Sequence, residues 1–259
     1  MSDAQMLIDT HSHLYSDDYS DDREAVIARA LSSDVGKIIL PNIDSRSVTG
    51  LLTVAHDHPE VCFPLMGLHP SSVGEAYVAE LDRITGWFSR ETFFGVGEIG
   101  IDLYWDKTRQ RQQEDVFRQQ LRLARTLKLP VVIHVRESFR EVYAILEAEQ
   151  EGSLTGVFHC FSGNGEEARM VIDAGFFLGI GGVVTFKNSS LPGVLEKAGP
   201  HRLVLETDSP WLSPAPHRGK RNEPGYLVHV ADKVAAIFSV SSEEIAEITT
   251  ANARSLFRI

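Results

Sequence analysis

The chain has 259 residues and a formal net charge of −11, with 43% hydrophobic and 24% charged residues. Those proportions are ordinary for a globular protein with a sizeable core and exclude extensive disorder. The acidic balance argues against broad electrostatic adhesion to nucleic acid, which needs an excess of Lys and Arg; it leaves a phosphodiester substrate open, because bound cations reverse the field inside an acidic pocket.

The chain does not open on a basic segment followed by a long apolar run, and no stretch of about 18 consecutive apolar residues follows. A soluble, cytoplasmic protein with no membrane association is therefore expected, with a monomer as its default state. Cys62 and Cys160 are too few for a disulfide framework. Reduced thiols are the default, and Cys160, beside His159, reads as a buried strand-end thiol.

In chain order, an apolar run at residues 7–9 is followed by helical spacing over 23–31. Runs at 37–40, 61–66 and 93–96 then alternate with helical patterns at 48–56 and 78–88. A long amphipathic pattern over 109–127 ends at Lys128, Leu129 and Pro130. Beyond it come a run at 131–133, a helix at 139–147, a run at 156–158, a helix at 166–174, and runs at 176–180 and 203–205. The tail from 226 to 259 reads as two helices, the second entered through Ser241 or Ser242 with Glu244 as capping partner. The eight runs are rich in Val, Ile, Leu and Phe without strict polar alternation, as in parallel strands buried on both faces. No linker or composition shift divides residues 1–259. The expectation is one α/β domain, a (β/α)8 TIM barrel, although an open doubly wound sheet has a similar local pattern.

Polar residues close many of these runs. His11 and His13 stand two apart after the first, so an extended chain presents both imidazoles to one ion, against the alternative of two unrelated histidines. His69, Glu98, His134, His159 and Asp208 sit at the same address on later runs. In a barrel such positions converge at one mouth, where four imidazoles and two carboxylates can hold two cations. His69 precedes Pro70 on a separate turn and reads equally as a substrate contact or a turn anchor. Glu206, two before Asp208, is better explained as an acceptor orienting an active-site histidine. Arg136 suits an anion or a structural ion pair, and the basic stretch with Arg218, Lys220 and Arg221 suits phosphate or a solvated turn. Tyr104 and Trp105 either stack on a base or simply pack. His56, His58, His201, His217 and His229 lack this placement and read as surface residues.

At these residues the sequence resembles the TatD-type deoxyribonuclease family of the amidohydrolase superfamily. The match runs in order through IDTHSH, GLHP, VGEIGID, LPVVIHVRES, FHCFSG, GIGG, LVLETDSPWLSP and RGKRNEP, across nearly the whole chain. The resemblance implies a metal-dependent barrel hydrolase, with members acting as 3′-to-5′ exonucleases on DNA, often single-stranded, and commonly using magnesium. It implies that His11 and His13 with Asp208 hold one metal, that His134 and His159 hold the other, and that Glu98 bridges them. Leu103, where an aromatic is frequent, and Glu137 depart from the pattern without touching a ligand.

The expected cofactors are two divalent metal ions, Mg, Mn or Zn, and the expected partner is DNA with single-stranded ends. Asp208 would orient the attacking water and accept its proton, while His69, Arg136, Arg218 and Arg221 position the phosphate. Two alternatives stand beside this. One is a metal-dependent amidohydrolase or esterase for a small-molecule or aminoacyl ester substrate; the other is a non-catalytic metal-binding accessory protein.

Overall fold

A computed structural model of the protein describes residues 6–259. Strands β1 (Leu7–Asp9), β2 (Val35–Leu40) and β3 (Cys62–Pro64) form one sheet in that order. Strands β4 (Val96–Asp102), β5 (Val131–Arg136), β6 (Gly156–Phe158), β7 (Phe177–Ile180) and β8 (Leu203–Leu205) form a second. Every neighbouring pair is parallel. The sheets meet at both edges. At one seam Met66 bridges Val96, and the Gly97 N–H donates to the Met66 carbonyl at 3.1 Å. At the other, the Thr10 N–H donates to the Leu205 carbonyl at 3.0 Å and Ser12 bridges Ser209. The strands follow one another in sequence order around a TIM-barrel-like α/β fold, the class the sequence suggested.

Helices α1 (Arg23–Ser32), α2 (Val48–Asp57), α3 (Tyr77–Thr85), α4 (Gln110–Leu127), α5 (Phe139–Glu149), α6 (Gly165–Asp173) and α7 (Leu191–Ala198) follow the first seven strands in turn. Two more, α8 (Leu227–Phe238) and α9 (Ser242–Phe257), follow β8. Their ends obey local chemistry. Lys128 caps α4 in the left-handed conformation at φ 56°, and Asn164 and Glu167 form a reciprocal capping box on α6. Of the two serines expected to open the last helix, Ser241 is the cap, accepting from the Glu244 N–H at 3.2 Å.

One expected strand is displaced. The apolar residues 93–95 only lead into β4, which runs on through Asp102. It carries two glycines and two carboxylates among its seven residues, all buried, so its sequence does not read as an apolar run.

Side chains alternate along the strands. Ile8, Ile39, Leu65, Val132, Val157 and Val204 form an inner cluster with Ala253, Leu256 and Phe257 of α9. Their neighbours Ile38, Leu40, Val131, Ile133, Phe158 and Leu205 belong to the larger core between strands and helices. The Thr250 hydroxyl donates to the Met6 carbonyl at 2.6 Å, and the Asn252 amide donates to the Leu203 carbonyl at 2.7 Å. α9 therefore covers the end of the barrel where β1 and β8 begin, and the opposite end is left for chemistry. Among the described residues no helix is long and apolar enough to cross a membrane.

Candidate metal centre

The inner positions continue upward along each strand. With Val132, Val157 and Val204 facing inward, the two-residue period turns His134, His159 and Glu206 the same way. Glu98 needs a further device. The β4–β5 register shifts between Val96 and Ile99, a bulge that turns the carboxylate toward the axis. Gly97 permits the close approach, since a Cβ there would lie 2.8 Å from Val132 Cβ. Glu137, Cys160 and Asp208, just past β5, β6 and β8, have φ of 53°, 47° and 55°. Such left-handed backbone costs on the order of 1–3 kcal/mol per residue and gathers at functional sites. At Asp208 it is held from both sides, its N–H donating to the His11 carbonyl and its carbonyl accepting from the Trp211 N–H, each at 2.9 Å.

Glu98, 2% exposed, is the centre of the cluster. Its Oε1 faces His134 Nδ1 at 2.8 Å, His159 Nε2 at 3.1 Å and His69 Nε2 at 3.2 Å. Its Oε2 faces His11 Nε2 at 3.1 Å and His13 Nε2 at 3.6 Å. Asp208 Oδ1 lies 3.8 Å and 3.9 Å from the same two nitrogens. The structure thus brings His11, His13, Glu98, His134, His159 and Asp208 to one place, with His69 beside them.

The far side of each imidazole sets which nitrogen carries its proton. The Tyr15 hydroxyl donates to the Pro41 carbonyl at 2.6 Å, so its oxygen is left to accept from His13 Nδ1 at 2.7 Å. His159 Nδ1 faces Glu206 Oε1 at 3.2 Å, and His134 Nε2 faces Asp102 Oδ2 at 3.1 Å. Carboxylates only accept, so each of these nitrogens bears the hydrogen. Those hydrogens leave His13 Nε2, His159 Nε2 and His134 Nδ1, the nitrogens that face Glu98, as the atoms that would serve as ligands to a cation held between them and the carboxylate. His69 has the opposite arrangement. Its Nδ1 accepts from the Ser71 N–H at 3.1 Å, which leaves the hydrogen on Nε2, pointing into the site.

Imidazole nitrogens packed this closely around a carboxylate require positive charge, carried by added protons or by a cation. A cation bonded to nitrogen or oxygen at about 2.1 Å holds its ligands roughly 3.0–3.4 Å apart; His11 Nε2 and His13 Nε2 are 3.1 Å apart. Among the described residues three groups meet the distance requirement for a metal, namely His11–His13–Asp208, His11–Glu98–His159 and His69–Glu98–His134. The third is weakened as a ligand set by the Nε2 hydrogen on His69. The donor set therefore fits divalent cations.

The electrostatics agree. Although burial opposes ionisation, the surrounding His69, His159 and His11 hold the Glu98 carboxyl well below the usual range. Burial lowers His11, while Glu98 and Glu206 overcome burial at His159 and raise it. Burial pushes Asp208 up to about 6 against His159 and His13.

A cavity of about 700 Å³ opens over the cluster and includes His69, Arg136, Cys160, Trp105 and Trp211 in its wall. Among the described residues Arg136 makes no ion pair; its guanidinium lies 3.9 Å from the Tyr104 ring centroid and 5.3 Å from that of Trp105. Two expected phosphate contacts stand elsewhere. Arg221 is bound to Asp22 at 2.9 Å and 2.7 Å and to the Asp18 carbonyl, so its charge is already met by a neighbour across the chain fold. Arg218 lies 3.5 Å over the Phe186 ring, outside this cavity. His56 and His201 are exposed, but His217 and His229 are half-buried, their Nε2 atoms 3.1 Å apart. Tyr15, Asp102 and Trp211 escaped the sequence reading. Only the position of Asp102 four residues after Glu98 within one strand offered a hint, while the Tyr15 and Trp211 contacts depend on folding.

The chain matches the family model described as TatD related DNase over residues 8–258. It belongs to that family. A relative from Bacillus subtilis, described as the metal-dependent hydrolase YabD, is 39% identical over 255 residues, covering 98% of this chain and all of its own. The 3′-5′ ssDNA/RNA exonuclease TatD of Erwinia tasmaniensis is 31% identical over 262 residues, covering 98% of this chain and all of its own. The crystal structure of YJJV, a TatD homologue from Escherichia coli K12, superposes with a TM-score of 0.92 at 28% identity, covering 99% of each chain.

Proposed function

We propose that this TatD-family chain is a metal-dependent deoxyribonuclease that removes nucleotides from the 3′ end of single-stranded DNA. The observation that carries this reading is the division of Glu98, one oxygen facing His11 and His13 and the other facing His134 and His159. That arrangement suits two cations sharing one carboxylate, with Asp208 completing the His11–His13 side. Magnesium, manganese and zinc are the candidates. When bound, divalent cations supply the positive charge that acidifies a water and neutralises phosphoryl oxygens in an in-line displacement.

The remaining roles belong to the chain. Asp208, 3.8 Å and 3.9 Å from the facing nitrogens of His11 and His13, orients the attacking water and takes its proton. His69 donates its Nε2 hydrogen to a phosphate oxygen. Arg136 stacks on Tyr104 through the face of its guanidinium and keeps its in-plane N–H groups for the anion. The exonuclease name of the Erwinia relative supports the choice of substrate. Incubation with 5′-labelled single-stranded DNA should give a ladder shortening one nucleotide at a time from the 3′ end, halted by chelator and restarted by metal. No shortening with any of the three metals would overturn the reading.

A further inference from the structure

Two smaller cavities flank the central one, and they differ in charge. The first, about 410 Å³, lies on the β5–β6 side and shares Val135, His159, Cys160 and Ser162 with it. Its wall carries Glu137, Glu141 and Glu167 against a single Arg140. The other, about 500 Å³, lies on the β7–β8 side and is lined by Thr185, Phe186, Lys187, Asn188, Ala215 and Arg218, with no carboxylate. Val183 and Leu212 in the central wall stand two and three residues from Thr185 and Ala215 in this one. At most about 7–11 Å of chain separates such positions. The loops are knitted together: the Ala215 N–H donates to Thr185 Oγ1 at 2.8 Å, and a Cβ on Gly182 would run into the Leu212 carbonyl.

We infer that the Lys187–Asn188–Arg218 pocket is a second anion site, which takes a backbone phosphate of the strand leading away from the reacting end. This rests on the nuclease reading above and adds the strand's path. Both cations are exposed, and among the described residues neither is engaged by a carboxylate. Arg218 spends only its π face on Phe186, so its edge donors remain for phosphate. Asn188 adds an amide donor in the same wall. In a chain of net charge −11, an anionic strand is turned away by the three glutamates on one side and accepted by the two cations on the other. Trp211, 48% exposed and in the wall of the central cavity, stands one residue before Leu212 on this side and offers a base-stacking surface along the path.

The test compares wild type with Lys187→Ala/Arg218→Ala and the charge-keeping Lys187→Arg/Arg218→Lys. For each, kcat/KM is measured on a ten-nucleotide single strand and on a dinucleotide, which carries no second phosphate. The ratio of long to short substrate should fall about tenfold in the alanine pair, with the loss in KM, and return in the charge-keeping pair. Binding of a phosphorothioate-linked ten-mer, followed by fluorescence anisotropy across salt concentrations, should show a slope of log Kd on log salt shallower by about 0.7–1.4. An unchanged ratio with an unchanged salt slope would overturn the site. Absence of hydrolysis by wild type would instead strike the nuclease reading, and the anisotropy would still decide the pocket.

Discussion

His69 and His134 face the same oxygen of Glu98, at 3.2 Å and 2.8 Å, yet carry their hydrogens on opposite sides. That difference separates a donor to substrate from a metal ligand. His69→Ala should lower kcat about 10²–10³-fold, the usual loss of one transition-state donor, while metal per chain by mass spectrometry or emission stays constant. His134→Ala should lower both; equal loss of metal in the two variants would remove the distinction. Tyr15→Phe tests the orienting partners, because it deletes the oxygen that accepts from His13 Nδ1. Metal affinity, measured by competition with a chromophoric chelator, should weaken about 10–100-fold. At this scale the sequence was informative where a strand end announced itself, as at His134 and His159. It was silent on Tyr15, whose value lies in reaching Pro41 across the fold, and it gave Arg221 to phosphate because the partner that holds it, Asp22, is 199 residues distant.

Elements carry the residues to the site through close packing of strands and one terminal helix. Gly179 of β7 lies against Glu206, and a Cβ there would collide with the carboxylate that faces His159. Gly179→Ala should displace Glu206, loosening His159, and therefore weaken metal binding more than it alters helix content by circular dichroism. α9 acts at the other end. Phe257 is 2% exposed in the inner cluster, and Phe257→Ala should cost about 3–5 kcal/mol in denaturant unfolding while the folded variant keeps its metal content. A site that emptied in that variant would mean the two ends of the barrel are not independent. Parallel strands alternating with amphipathic helices were legible because burial on both faces writes a continuous apolar run. β4 was not, since the strand that supplies Glu98 spends its inner face on Gly97 and a carboxylate instead of on Val or Ile. The two seams were also hidden, being single bridges and backbone bonds that leave no side-chain pattern.

Across the whole molecule, the site gathers Glu98, Asp208, Asp102 and Glu206 within one buried mouth, so folding concentrates negative charge that the unfolded chain disperses. Divalent cations that bind the native arrangement and ignore the unfolded chain must therefore stabilise the protein by mass action. At a hundredfold excess over Kd one site contributes about 2.7 kcal/mol, and for a chain of this size each kcal/mol raises the midpoint by roughly 2–4 °C. Thermal unfolding of the chelator-treated protein should shift upward by about 5–10 °C on adding metal, and more if both sites fill. Glu98→Ala, lacking the carboxylate that faces both sides, should lose most of the shift and all of the hydrolysis while still unfolding cooperatively. A full shift in that variant would place the cations somewhere other than around Glu98, because a ligand can stabilise the fold only through contacts that the folded state alone provides.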